Sequence, residues 1–289
     1  MTKIIVDSTC DLPKAILEQY DIKVMPLNVV LGDKEYLDGV EITVEELYAE
    51  MRRGVVPKTS QIRTEELLET FETYAVQAMD FIYLAFSSAL SGTCDLAKMV
   101  LQKISAQYPQ VKMEVVDSRS GSLATGLIAL QAARMAENGW NYSVVLQQID
   151  FMVEHIEHVF AISDLHWLAK GGRISRAAGL AGSLLDVRPI LDVENGRMKV
   201  IGAARGRRRT MNALIELVKQ RIRDFPEQIV GISHADDLPA AQEIMDMLRE
   251  KAGITDFIVE RIGSVLGAHL GIGGVGIFFF NAKPELYAG

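Results

Sequence analysis

Asp80-Phe81-Ile82-Tyr83-Leu84-Ala85-Phe86 is an apolar run opened by an acid, and it gives way at once to Ser87-Ser88-Ala89-Leu90-Ser91-Gly92-Thr93, a stretch of hydroxyls and small side chains. A short apolar run that stops at a polar loop reads as a strand, and the periodic stretch over residues 93–107 reads as a helix. The rhythm recurs on both sides. Residues 3–6 form an apolar run ending at Asp7-Ser8-Thr9 and are followed by a helix over 13–20 with Pro13 in its first turn. Residues 112–116 end at Asp117-Ser118-Arg119-Ser120 and are followed by a helix over 121–137. Strand, polar loop and helix in repetition predict a parallel sheet covered by helices. Ligands of such sheets bind outside the carboxyl ends of the strands, so the three polar loops are expected on one edge. Thr43-Val44-Glu45-Glu46 has the form of a capping box and starts a further helix that ends near Gly54.

The second half has a different texture. A strand over 159–163 leads into Lys170-Gly171-Gly172-Arg173-Ile174-Ser175-Arg176, and strands over 188–193 and 198–204 flank the hairpin signal Glu194-Asn195-Gly196-Arg197. A helix over 211–223, a strand over 229–233, a helix over 239–251 and strands over 257–261 and 275–280 complete the chain. The expectation is two domains, residues 1–157 and 158–289. The first is a parallel, Rossmann-like α/β/α unit and the second an α/β unit on a mixed sheet.

With 289 residues, 49% of them hydrophobic, the chain can build substantial cores. A formal charge of -8 argues against a general nucleic-acid binder. Cys10 and Cys94 are the two cysteines, and neither has framework spacing, which predicts a reducing cytoplasm and no disulfide. No apolar h-region with a cleavage site opens the chain, and no run of about 18 apolar residues occurs. Lys58-Thr59-Ser60-Gln61, the Ser87 to Thr93 stretch and Gly263-Ser264-Val265-Leu266-Gly267-Ala268-His269 offer neutral donors for a small anion. They lack the glycine-lysine pair of a P-loop and any ligand-spaced cluster of cysteines and histidines. The anion they suit is therefore a carboxylate, with no metal.

Six motifs stand in a telling order: Asp7-Ser8-Thr9-Cys10-Asp11-Leu12-Pro13, Lys58-Thr59-Ser60-Gln61, Leu90-Ser91-Gly92-Thr93, Gly171-Gly172-Arg173-Ile174-Ser175, Leu184-Leu185-Asp186-Val187-Arg188-Pro189-Ile190-Leu191 and residues 262–278. In this the chain resembles, nearly end to end, the DegV family of bacterial fatty-acid-binding proteins. The resemblance implies a lipid carrier that is not itself a catalyst. It would need no cofactor beyond its bound long-chain fatty acid, which it would present to a separate fatty acid kinase that makes an acyl phosphate for phospholipid metabolism. It also implies that Thr59, Ser91 and His269 bind the carboxylate, supported by Ser60, Gly92, Thr93, Gly267 and Ala268. Thr59 and Ser91 also read as ordinary helix N-caps. This chain departs from the family at Ile62, where proline is frequent, and around His269, where Gly263-Ser264 and His269-Leu270-Gly271-Ile272 replace a Gly-Pro and a His-Thr-Gly-Pro pattern. Those changes bear on loop rigidity and chain preference.

An acyl chain needs an apolar tunnel, for which Leu123, Leu127, Ile128, Leu130, Ala133, Met25, Leu27 and Phe86 are candidates for pocket or core. At roughly 0.8 kcal/mol per buried methylene, a chain of about 16 carbons supplies on the order of 10 kcal/mol before ordering costs. Residues 170–209 hold ten basic side chains (Lys170, Arg173, Arg176, Arg188, Arg197, Lys199, Arg205, Arg207, Arg208, Arg209) against Asp186, Asp192 and Glu194, a local net of +7. Arg173 and Arg205 lead as contacts for the kinase or for transient contact with an anionic membrane; the bland alternative is a solvated face. No aromatics interleave with residues 205–209, against RNA.

Four further signals have alternatives. Gly231-Ile232-Ser233-His234-Ala235, followed by Asp256 and His269, has the order of a serine hydrolase using Ser233 and His269, but no oxyanion-hole motif accompanies it. Gly271-Ile272-Gly273-Gly274-Val275-Gly276 matches the dinucleotide fingerprint in letters only, because it precedes a strand and opens no helix. His155 and His158 at i and i+3 read as a solvated helix face or a metal pair. Cys94 reads as a buried filler or a thiol of lowered pKa.

Overall fold

In the computed structural model, residues 2–163, 165–174, 186–222 and 224–288 are described. Ser175, Arg176, Leu184 and Leu185 lie outside them. The parallel sheet expected from the opening motifs is present, with strand order β2-β1-β6-β7 (Lys23–Met25, Lys3–Asp7, Phe81–Ala85, Met113–Asp117). Its central strands β1 and β6 are buried along their whole length, which is why they read as continuous apolar runs instead of alternating ones. Helices α1 (Lys14–Gln19), α3 (Thr64–Val76), α4 (Thr93–Gln107), α5 (Leu123–Glu137) and α6 (Tyr142–His155) accompany the sheet.

A three-stranded antiparallel sheet, β4-β3-β5 (Lys34–Leu37, Asn28–Leu31, Lys58–Ser60), is interposed before α3. Helix α2 (Val44–Arg52) lies within it in sequence, and its Thr43/Glu46 capping box is formed as expected. The second half builds a six-stranded mixed sheet in the order β10-β9-β8-β13-β11-β12 (Arg197–Arg205, Val187–Glu194, Ile156–Ala161, Val275–Phe280, Val230–His234, Phe257–Arg261). The β9–β10 hairpin turns on Asn195 and Gly196, both at positive φ (50° and 75°), the conformation that makes Asn-Gly the favoured pair there. Helices α8 (Arg207–Ile222) and α9 (Leu238–Ala252) cover one face of this sheet through Leu214, Val218, Ile244 and Leu248. The short α7 (His166–Lys170) and α10 (Ser264–Leu270) pack on each other.

Helix α5 joins the two larger sheets. It is apolar around its whole circumference and buried at every residue except Arg134 and Glu137, the signature of a helix with core on all sides. Its close approach depends on two glycines. A methyl group at Gly126 would sit 2.7 Å from the Cys10 carbonyl oxygen, and one at Gly231 would sit 2.9 Å from Leu123 Cβ. The core around α5 takes in Val6 and Leu84 from the first sheet and Phe278 and Phe280 from the second. Among the described residues no helix is long and apolar enough to cross a membrane.

The histidine pair needs correction. His155 ends α6 with Nδ1 2.8 Å from Asn281 Oδ1, whereas His158 lies in strand β8 and is buried, so the two share neither a helix face nor a solvated one. The apolar run that follows them shifts the chain from helix to strand three residues earlier than the pattern predicts.

Candidate functional site

The polar loops after β1, β6 and β7 are tied to one another. Asp7 Oδ2 accepts from the Phe86 amide at 2.7 Å, the Ser87 amide donates to the Ser120 carbonyl at 3.1 Å, and the Ser122 amide donates to the Thr9 carbonyl at 2.7 Å. This is the edge at which parallel sheets bind ligands. The second sheet reaches it through the β9–β10 turn, where Ser87 Oγ donates to the Gly196 carbonyl at 2.8 Å. Between these parts lies a cavity of about 250 Å³. Leu27, Phe86, Phe160, Val193, Met198 and Phe278 are among its apolar walls.

Thr59, Ser91 and His269, far apart in sequence, all line this cavity, together with Ser60 and Gly92. Thr59 sits on β5, opposite Val29 of β3. Its Oγ1 lies 2.7 Å from His269 Nε2, across 210 positions of sequence. Burial, with the charge of Arg173 as a smaller cause, lowers the His269 pKa to about 4, so the imidazole is neutral at physiological pH. A neutral imidazole and a hydroxyl carry two polar protons between them, and their mutual hydrogen bond uses one. With the proton on Nε2 the ring donates to Thr59 Oγ1, and the Thr59 O–H is left for an anion. His269 Nδ1 has no partner among the described residues and faces Gly171, where a methyl group would come within 2.1 Å of it. Glycine at 171 is thus the residue that lets the imidazole occupy its place.

Ser91 does two things. Its Oγ accepts from the Thr93 amide at 3.2 Å and donates to Thr93 Oγ1 at 3.0 Å, a local turn contact just ahead of a helix whose N-cap is Gly92, so Ser91 is not the cap, and the same side chain borders the cavity. Thr59 is a strand residue and caps nothing. Helix α4 starts just beyond Ser91 and adds the positive end of its dipole. Thr93, Gly267 and Ala268 are buried behind the wall; Gly267 is small because the Tyr48 hydroxyl would lie 2.6 Å from an added methyl.

Arg173, read from the sequence as an outward contact, also lines the cavity and donates to the Leu90 and Gly171 carbonyls at 3.2 and 2.6 Å. Arg205 stands apart, exposed at the end of edge strand β10. Of the proposed linings, Leu27 and Phe86 reach the cavity; Met25 and the α5 residues belong to the cores.

Sequence reasoning passed over Ser122, whose φ of 54° and ψ of -151° is a conformation almost reserved for glycine. Its Oγ donates to Asp11 Oδ2 at 2.6 Å and lies 2.8 Å from Ser233 Oγ. Burial raises the Asp11 pKa to about 8 against the hydrogen bonds from Ser122 and Gly263. Only tertiary contacts hold this knot, and no local signal announces it. It also disposes of the hydrolase arrangement: fully buried Ser233 is bonded to Ser122, and His269 is bonded to Thr59, so nucleophile and base are not paired. Cys94 is buried, and desolvation pushes its thiol up to about 11, the opposite of an activated thiolate. The glycines from 271 to 276 lead from α10 into β13 and open no helix.

Residues 1–282 match the family model described as "Uncharacterised protein, DegV family". The chain belongs to the DegV family. A DegV domain-containing protein of Clostridium perfringens is 34% identical over 285 residues, 98% of each chain. A stearic acid-binding protein of Eubacterium ventriosum is 26% identical and superimposes with a TM-score of 0.89 over 96% of this chain and 97% of its own. DegV of Bacillus subtilis, described as a fatty acid binding protein, is 29% identical with a TM-score of 0.85 over 96% and 99% of the two chains. DegV proteins of known structure therefore include fatty-acid binders with the same arrangement of sheets.

Proposed function

We propose that this protein holds a long-chain fatty acid in the cavity between its two halves, residues 1–157 and 158–289, with the carboxylate on Thr59, Ser91 and His269 and the chain among the apolar walls. One observation carries the reading: a pair of neutral donors, Thr59 and His269, stands at the border of a cavity whose walls are mostly apolar. Solvation explains why that combination suits an amphiphile. The apolar walls supply most of the affinity, and the donors fix the head group without a bidentate guanidinium pair. A carboxylate so held keeps nucleophilic character, as it must if it is to attack a phosphoryl group on a separate kinase. On this reading the protein is a cytoplasmic carrier and the kinase does the chemistry. Arg205, on the exposed edge strand, contributes to the docking surface for the kinase, with transient contact to an anionic membrane as its second use. Arg173 serves both the docking surface and the cavity mouth.

The test is direct. Organic extraction of the denatured purified protein, followed by mass spectrometry, should yield near one fatty acid per chain. Delipidated protein should rebind stearic acid. Absence of lipid from the extract, with no binding on re-addition, removes the proposal.

A further inference from the structure

His158 is a polar side chain in the cavity wall that the head-group site does not use. His158 stands on β8, where side chains alternate between the two faces of the sheet. Glu157, Val159 and Ala161 face the helices; Glu157 accepts from Arg221 of α8 at 2.8 Å, and Val159 and Ala161 join the core beneath α8 and α9. His158 and Phe160 face the other way and line the cavity. The His158 ring is edge-on to Phe278, its partner on β13, with centroids 5.8 Å apart and an interplanar angle of 89°. It is 4% exposed, and neither Nδ1 nor Nε2 has a hydrogen-bond partner among the described residues.

A buried imidazole with both nitrogens unpaired is costly, because each has given up water without compensation. Desolvation, with the Arg221 charge as a smaller cause, lowers its pKa to about 3, so it stays neutral with one donor and one acceptor. A saturated hydrocarbon passing this wall satisfies neither. A hydroxyl satisfies either tautomer, since it both donates and accepts.

We propose that His158 makes the cavity selective for acyl chains bearing a hydroxyl group away from the carboxylate, by hydrogen-bonding to that oxygen. The inference rests on the cavity being a fatty-acid site, and its test separates the two. Delipidated parent protein, His158→Leu and His158→Gln are titrated with stearic acid and with a positional series of monohydroxystearic acids. At least one isomer should bind the parent about tenfold more tightly than stearic acid, the change that corresponds to one well-made buried hydrogen bond. The leucine variant should lose the preference between the two acids, and the glutamine variant should retain part of it. In nitrogen-15-labelled parent protein, the His158 ring resonances should shift with the preferred hydroxy acid beyond the shift seen with stearic acid. That readout needs no variant to fold. A parent that binds stearic acid but prefers no hydroxy isomer overturns the inference and leaves the fatty-acid site standing. A preference that survives unchanged in the leucine variant overturns it as well. A parent that binds neither acid overturns the fatty-acid site itself.

Discussion

Two histidines border one cavity and share one protonation state, yet their surroundings assign them different work. His269 is neutral and engaged, with Thr59 at 2.7 Å; His158 is neutral and has no partner on either nitrogen among the described residues. Burial sets the charge in both places. The partner decides what the ring can do, because a ring already paired to a hydroxyl forms a donor unit aimed at an anion, whereas a bare ring can exchange hydrogen bonds with a neutral oxygen. The polar site is assembled from a strand of the small sheet, a loop of the parallel sheet and helix α10. His158 comes from a single strand whose alternation alone turns it inward.

The comparison breaks most visibly in acid. The native pKa of His158, about 3, lies below the unfolded value near 6.5. The unfolded chain therefore binds more protons between these limits. The titration of His158 costs nothing above pH 6.5 and progressively more as the pH falls toward 3. His269 acts in the same direction over the narrower window from 6.5 down to about 4. Asp11 opposes both: its carboxyl, held protonated to about 8, contributes stability that is full below 3.8 and is lost as the pH rises through 8. Measuring a variant against its parent cancels the Asp11 contribution. In denaturant unfolding, the stability of His158→Leu relative to the parent should be higher at pH 4 than at pH 7 by about 3 kcal/mol. An offset that does not change with pH means that this ring titrates as it would in water, and the contrast between the two histidines then disappears.

Head-group variants sharpen the contrast at the engaged end. Thr59→Ala and Ser91→Ala should each weaken stearic acid binding by about 1–3 kcal/mol, the range for losing a hydrogen bond to a charged group. They should differ in stability. Ser91 accepts from the Thr93 amide at the start of α4, so its loss also removes a local hydrogen bond worth about 1 kcal/mol, while Thr59 makes no such contact at a helix start. Displacement of a fluorescent fatty acid measures the first quantity and thermal melting the second. Parent-like affinity in both variants would place the carboxylate elsewhere.

The parallel sheet was legible because β1 and β6 are buried on both faces and each ends in a polar loop followed by a helix, a pattern that needs no tertiary information. The hairpin was legible because Asn195-Gly196 meets a backbone demand that few residue pairs meet. The small sheet was not. β3, β4 and β5 have three or four residues each, and partial exposure gives them neither a continuous apolar run nor a clean alternation. Thr59, Ser91 and His269 were reachable through the ordered motifs of the family. His158, Ser122 and the cavity side of Arg173 were not, since each acquires its meaning from elements distant in sequence. Leu27 and Phe86 line the cavity, whereas the candidates on α5 belong to the core, because an all-apolar helix has the same pattern whether it lines a cavity or fills a core.

The smallest expected effect lies farthest from the cavity. Strand β10 is the edge of the second sheet, largely exposed, with Val200 and Ile201 each 38% accessible beside the basic side chains. Lys199 pairs with Glu194, and Arg207 pairs with Asp237 and Glu243, so part of the local excess is internally balanced. Arg205 has no ion pair among the described residues and is the cleaner probe, because Arg173 also borders the cavity. Arg205→Ala should leave stearic acid affinity unchanged. If the proposed kinase partner docks here, the substitution should slow acyl-phosphate formation by less than about 1 kcal/mol in kcat/KM, as befits a rim charge that acts on encounter. Raising ionic strength should slow the parent more than the variant, since exposed charges are screened beyond about 8 Å at physiological salt. Equal turnover and equal salt dependence in the two proteins would return Arg205 to a solvated face, and the docking surface would have to be sought around Arg173 at the cavity mouth.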